Sequence, residues 1–227
     1  MTRHPGVLAV AAMLMLTTRA MAQPASAIES SVLAADLARH ALAGGHPLAV
    51  AAAVELLLDL GAAPRCDEDD PYHAPAIPQA DGTSCRITDE ARRRQRTLRS
   101  LLDSAARLAQ GDRDVSAVIA TLGRRVGDDA RGGLRGPQLG YYRIDRLATQ
   151  TFRIGFDAST SAEVLVRPDG AAMLSCTLTD DRGHALKTTT RRTRGCRMTF
   201  MPPANGRVRL LVRNAARQGD AYLLVTN

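Results

Sequence analysis

The amino-acid sequence predicts an α+β protein, helical first and all-β afterwards, on three observations. Between residues 28 and 127 the apolar residues recur near helical spacing. A stretch rich in Gly and Arg, residues 128–140 with Pro137 inside it, then interrupts any period and reads as a linker. From 141 to 227 the apolar period becomes two, in short runs separated by turn residues, the pattern of a β-sandwich.

Residues 1–22 carry a short basic start (Arg3, His4), an apolar run from Val7 to Leu16, and Ala20-Met21-Ala22. That order is a secretory signal peptide. The run is about half the roughly 20 residues a spanning helix needs, so no transmembrane anchor is expected. Ala25-Ser26-Ala27 is an alternative cleavage point, and the first cysteine, Cys66, lies too far on to accept a lipid. The many Ala and Arg residues, with Lys187 the only lysine, suit a high-GC bacterium, and the expected location is periplasmic or secreted.

About four helices are expected between 28 and 127. Val32, Leu33, Leu37, Ala41 and Leu42 mark the first, which Gly44-Gly45 breaks. Pro47 suits the first turn of the second, which carries Val50, Val54, Leu57 and Leu58 and stops at Gly61. Thr88, Asp89 and Glu90 form a start signal for the third, through Leu98, Leu101, Leu102, Ala105 and Leu108. Gly111 ends it, and a fourth runs from about Val115 to Val126. Two helix hairpins in tandem faintly echo a repeat array, but such arrays need at least about three repeats, so a small four-helix assembly is expected.

Four cysteines in an exported chain are expected to pair, and they allow three connectivities. Sequential pairing, Cys66 with Cys85 and Cys176 with Cys196, keeps each bridge within one region and is preferred. The first bridge would staple the loop 66–85, which holds Pro71, Pro75, Pro78 and an acidic run.

In the β region Phe152, Ile154 and Phe156 share a face, as do Ala162, Val164 and Val166, and then Leu174, Cys176 and Leu178. Cys196, Met198 and Phe200 form another set, and Val208, Leu210 and Val212 the next. Cys176 and Cys196 both fall inward in this phase. Alternation on both sides of Asn205-Gly206 predicts a hairpin joining these last two runs.

From Tyr141 to Asn227 the Pro168-Asp169-Gly170 turn leads to the strand Leu174 to Thr179 and the turn Asp180-Asp181-Arg182-Gly183. Phe200-Met201-Pro202, Val212-Arg213-Asn214 and Tyr222-Leu223-Leu224 follow in that order. This order of turns and strands resembles the bacterial pre-peptidase C-terminal (PPC-like) module of secreted proteins. It implies a jelly-roll-like sandwich and a non-catalytic companion role. Where that family often has aspartates, this chain has Ala171, Met173 and Ser175, so a calcium role is not carried over.

No catalytic residue, metal site or cofactor is assigned. Asp67, Glu68, Asp69 and Asp70 with His73 follow no ordered cation-loop spacing and are expected to be a solvated loop. No His-Glu-x-x-His, Gly-x-Ser-x-Gly or Cys-x-x-Cys occurs. Arginines gather in two places: Arg92, Arg93, Arg94, Arg96 and Arg99 on the third helix, and Arg191, Arg192, Arg194, Arg197, Arg207, Arg209 and Arg213 on the sandwich. The formal net charge of +7 favours anionic partners, although solubility alone explains it as easily; the clustered arginines are read first as an Arg-for-Lys bias on a solvent face and second as an anion site. Nucleic acid is not expected, because few aromatics are present for stacking.

The expectation is therefore an exported, non-catalytic binding or scaffolding protein of the bacterial envelope, with an envelope protein seated in the helical groove. An anion-binding module whose Arg-rich face takes lipopolysaccharide or an acidic glycan is the alternative. A secreted hydrolase using His40 or His184 is a third reading.

Overall fold

The structure, a computed structural model, describes residues 26–65, 90–129, 136–170, 172–189, 195–204 and 206–227. Helix α1 (Ala27–Gly44) starts on a capping box, in which the Ser26 hydroxyl accepts from Glu29 N and the Glu29 carboxylate accepts from Ser26 N. It ends where Gly45 takes the left-handed conformation, and α2 (Pro47–Asp59) begins on its proline. Ala34, Ala35, Ala38 and Ala41 are buried, and their small side chains let α1 approach Val50, Ala53, Val54 and Leu57 of α2 closely.

Helices α3 (Glu90–Ala109) and α4 (Arg113–Asp129) complete the helical layer. Asp112 caps α4, its carboxylate accepting from Asp114 N and Val115 N. Arg94 turns inward, only 3 % exposed, and donates to Leu57 O and Leu58 O, which also accept from Ala62 N and Gly61 N at the end of α2.

Among the described residues nine strands follow the order β1 (Ala63–Pro64), β2 (Gln138–Ile144), β3 (Thr149–Gly155), β4 (Ala162–Pro168), β5 (Leu174–Thr179), β6 (Ala185–Thr189), β7 (Cys196–Phe200), β8 (Arg207–Asn214) and β9 (Asp220–Thr226). They form two sheets, β1-β2-β9-β4-β7 and β3-β8-β5-β6. Strands β2 to β9 make two antiparallel four-stranded sheets in jelly-roll order. The short β1 adds parallel to the edge of β2, through Ala63 N to Pro137 O and Arg65 N to Leu139 O. Pro64 brings no N–H to the ladder, which an edge tolerates.

The inward faces meet over Tyr142, Phe152, Ile154, Val164, Val166, Leu174, Leu178, Met198, Leu210 and Tyr222. The Tyr142 ring stands edge-on to Phe152 at 4.7 Å, and the Tyr222 hydroxyl is satisfied by Gln150 Oε1. The Cys176–Cys196 bridge ties β5 of one sheet to β7 of the other, in the preferred pairing. Cys66 and Cys85, residues 1–22 read as a signal peptide, and the Thr88-Asp89 start signal lie outside the described residues.

Helices and sandwich share a core. Leu139, Leu223 and Val225 on the outer face of the β2/β9 pair are buried in one cluster with the helices, joined by Tyr141 and Leu165. Strand β9 is thus covered on both faces: Tyr222 and Leu224 look into the sandwich, Leu223 and Val225 into the helices. The molecule is three layers, helices on sheet on sheet.

Two expectations need correcting. Strand β2 starts at Gln138, inside the stretch read as a linker to residue 140. The Asn205-Gly206 turn does not close a hairpin, since β7 pairs with β4 while β8 pairs with β3 and β5. Pro202 and Pro203 cannot donate to a ladder, and the chain crosses from one sheet to the other there, which lets the apolar faces of β7 and β8 oppose each other. Gly206 sits at φ +65°, and a Cβ there would lie 2.1 Å from Phe156 O.

Candidate functional site

The outer face of the β3-β8-β5-β6 sheet gathers cationic and hydroxyl side chains, because β8 alternates apolar inward residues with Arg207, Arg209, Leu211 and Arg213 outward. Register sets what stands beside each. Arg213 lies between Thr149 on β3 and Ser175 on β5. Leu211 lies between Thr151 and Thr177, and Arg209 between Arg153 and Thr179. Arg207 stands opposite Gly155. Along a strand, Arg209 and Arg213 are roughly 13 Å apart at about 3.4 Å per residue. Across strands, Arg153 and Arg209 have Cβ atoms roughly 5 Å apart.

A cleft of about 520 Å³ opens at one end of this face, over Gly155 and walled by Arg153, Arg207 and Arg209, with Asp181 at its rim. A Cβ on Gly155 would meet nothing within 4 Å, so the cleft extends to the strand backbone. Among the described residues, Arg209 Nε is buried with no hydrogen-bond partner. Arg65 reaches round the sheet edge and donates to Arg153 O, which fixes the β3 backbone from behind.

Of the arginines read from the sequence as one face, the structure unites Arg207, Arg209 and Arg213. Arg191, Arg192 and Arg194 lie outside the described residues. Arg197 belongs to β7 in the other sheet, where its guanidinium engages the carboxylates of Glu29 and Glu163 and donates to Ser26 Oγ. It is a fastener between α1 and the sandwich. Its hydrogen bond, followed by that from Ser26 N, holds the Glu29 carboxyl below the usual carboxylate range. Arg153 and Gly155 were not read from the sequence as part of the site, since only register shows that they face β8.

A second fastener lies further along α1. Arg167 grips Asp36 with two hydrogen bonds of 2.7 and 2.6 Å, and Arg39 reaches Asp36, Asp169 and the Tyr141 hydroxyl. Burial, which raises the Asp169 pKa, is outweighed by hydrogen bonds from Tyr141 and Arg39 and by the charges of Arg39 and Arg167, and the net shift is downward.

The other candidates come apart. Arg94 is the buried helix cap described above, not part of a cationic patch. His184 Nδ1 lies 3.0 Å from Asp180 Oδ2 on an exposed turn, and among the described residues no hydroxyl or thiol is hydrogen-bonded to the ring. His40 is exposed on α1. Among the described residues no group of three or more His, Cys, Asp or Glu is placed to hold a metal ion, and no helix is long and apolar enough to cross a membrane. The acidic run with His73, and Ala171, lie outside the described residues; Met173 and Ser175 follow the turn at Gly170. Between α2 and α4 a smaller apolar groove of about 330 Å³ is lined by Ala117, Val118 and Leu122, with the Arg125–Glu55 ion pair at its border.

No protein-family model matches the chain, and no match was found among curated proteins.

Proposed function

We propose that this chain is an exported, non-catalytic binding module of the bacterial envelope that holds an anionic ligand on the outer face of the β3-β8-β5-β6 sheet. One observation carries the reading: Arg153 and Arg209 stand directly opposite each other on adjacent strands, and no carboxylate occupies a register position beside Arg209 or Arg213. Like charges directly opposite are unfavourable in a sheet. Elsewhere the chain does the reverse, setting Arg39, Arg125, Arg167 and Arg197 each against an acid. Asp181 at the cleft rim is one carboxylate beside this row of arginines, and a bound anion adds counter-charge to Arg153, Arg209 and Arg213.

Export is supported by the leader pattern and by the Cys176–Cys196 bridge, which suits an oxidising compartment. The PPC-like reading is supported by the turns. Asp180 accepts from Arg182 N and His184 N, and buried Asn214 pins the loop to Asp145 O and Gln218 O. The rows of Arg, Thr, Ser and Leu hold no aromatic for base stacking, which favours glycan or lipid anions over nucleic acid.

Binding to immobilised lipopolysaccharide and to heparin, titrated with sodium chloride, tests the reading. Affinity is expected to fall steeply with salt, and Arg209→Gln with Arg213→Gln to weaken it about a hundredfold, at about 1.4 kcal/mol per lost contact. Affinity indifferent to salt and to both substitutions would sink it. The groove beside Val118, 44 % exposed, favours a second reading, docking of an apolar peptide from an envelope protein. Loss of binding in Val118→Asp with the Arg variants unaffected would select it.

A further inference from the structure

We infer that the outer face of the β3-β8-β5-β6 sheet takes an extended acidic glycan lying along β8, with acid groups on two sugars and an uncharged sugar between them. This rests on the reading of that face as anion-binding and adds to it the form and direction of the ligand. Outward side chains of a strand stand roughly perpendicular to the sheet, so the rows on this face keep the spacing of the backbone. The rows alternate in charge. Arg153 and Arg209 make one cationic row, Thr151, Leu211 and Thr177 an uncharged one, and Arg213 between Thr149 and Ser175 the next. Thr188 pairs with Thr177, which carries the uncharged row across all four strands. Arg207 and Asp181 already hold partners, so neither enters the site.

One acid group is enough for the Arg153–Arg209 pair, just as the single Asp36 carboxylate takes both Arg39 and Arg167. Arg213 stands roughly 13 Å from Arg209 along the strand, beyond the reach of the same group. A ligand laid across the strands meets one row only; laid along β8 it meets both cationic rows. The middle row decides what lies between. An acid group there would be desolvated against half-buried Leu211 with no cation in its row, which costs free energy. An uncharged sugar ring suits it, its apolar face on Leu211 and its hydroxyls toward Thr151 and Thr177. Two acid groups on one chain make the second contact intramolecular, so affinity climbs with ligand length.

Calorimetric titration of the full chain at physiological salt with hyaluronan oligosaccharides reads this length dependence, with melting temperature as the check on folding. In these glucuronate alternates with uncharged N-acetylglucosamine. The hexasaccharide is expected to bind at least about tenfold tighter than the disaccharide, which has a single carboxylate. Arg213→Gln, and separately Arg153→Gln with Arg209→Gln, should each bring the hexasaccharide down to about the affinity of the disaccharide. Leu211→Arg places a cation in the uncharged row. It should raise affinity for a galacturonate hexamer, charged on every sugar, several-fold more than for the hyaluronan hexasaccharide, a gain no folding defect imitates. A hexasaccharide that binds no tighter than the disaccharide, or is unmoved by Arg213→Gln, overturns the extended ligand. A galacturonate hexamer binding the unaltered chain as tightly as the hyaluronan hexasaccharide overturns the uncharged middle sugar. Phosphatidylglycerol vesicles binding as tightly as the hexasaccharide overturn the glycan in favour of a lipid surface. If Arg209→Gln with Arg213→Gln leaves heparin binding intact, the anion-binding face itself fails.

Discussion

Replacing Leu223 by Ala examines whether helices and sandwich stand or fall together. Leu223 is 2 % exposed on β9, inside the cluster it shares with the helices, while its neighbours Tyr222 and Leu224 belong to the sandwich core. Truncating a buried leucine costs its transfer free energy and leaves a cavity, together about 3 kcal/mol. At roughly 2–4 °C per kcal/mol for a chain of this size, melting falls by about 6–12 °C. Two probes separate the layers, because the chain has no tryptophan. Far-ultraviolet circular dichroism follows the helices, and tyrosine emission follows Tyr142 and Tyr222 in the sandwich core once Tyr72 and Tyr141, the other two tyrosines, are replaced by Phe. With the disulfide intact, both transitions are expected to coincide in the native protein and to move together in Leu223→Ala. A helical transition that shifts alone, or a loss below about 1 kcal/mol, would refute a shared core.

The remaining predictions concern single fastenings. Serine at both Cys176 and Cys196 opens a bridge spanning 20 residues of sequence and should cost about 3 kcal/mol, read as a lower urea midpoint; an unchanged midpoint would contradict it. Arg94→Met removes a charged donor from the Leu57 and Leu58 carbonyls, which keep their bonds from Ala62 N and Gly61 N, and should cost about 1 kcal/mol, read as a lower melting temperature; an unchanged melting temperature would contradict it. Glu29 and Asp169 both titrate below the usual carboxylate range in the folded protein, so their contribution is present at neutral pH and disappears as pH falls through that range. Hydrogen-exchange protection factors, corrected for the slower intrinsic exchange in acid, should therefore fall in α1 before they fall in β8, and a simultaneous fall would count against the two fasteners.

Local pattern gave the faces of the elements and said little about their partners. Gly44-Gly45 and Pro47 marked the α1–α2 junction because a left-handed cap and a proline-started helix are decided within a few residues. Alternation gave Cys176 and Cys196 their inward phase, and hence a bridge. It could not say that β7 and β8 part company into different sheets, since phase is local and pairing is not. Packing of the helices on the sheet was not read from the sequence, although Tyr222 to Val225, four apolar residues in a row, is the pattern of a strand covered on both faces. The site was half visible for the same reason. Arg207, Arg209 and Arg213 show their outward phase on one strand, but Arg153 and Gly155 join them only through register. Arg197 shares the alternation of an exposed strand face, and its carboxylate partners lie far away in sequence at Glu29 and Glu163.

The central claim, that one flat face of the sandwich binds an anion, is met most directly by mapping heparin onto the amide spectrum of the isotopically labelled protein. Shifts are predicted on residues 151–155 of β3, 175–179 of β5 and 207–213 of β8, diminishing as salt is raised. Shifts gathered instead on α2 and α4 around Val118 and Leu122, with the β8 amides unmoved, would contradict it.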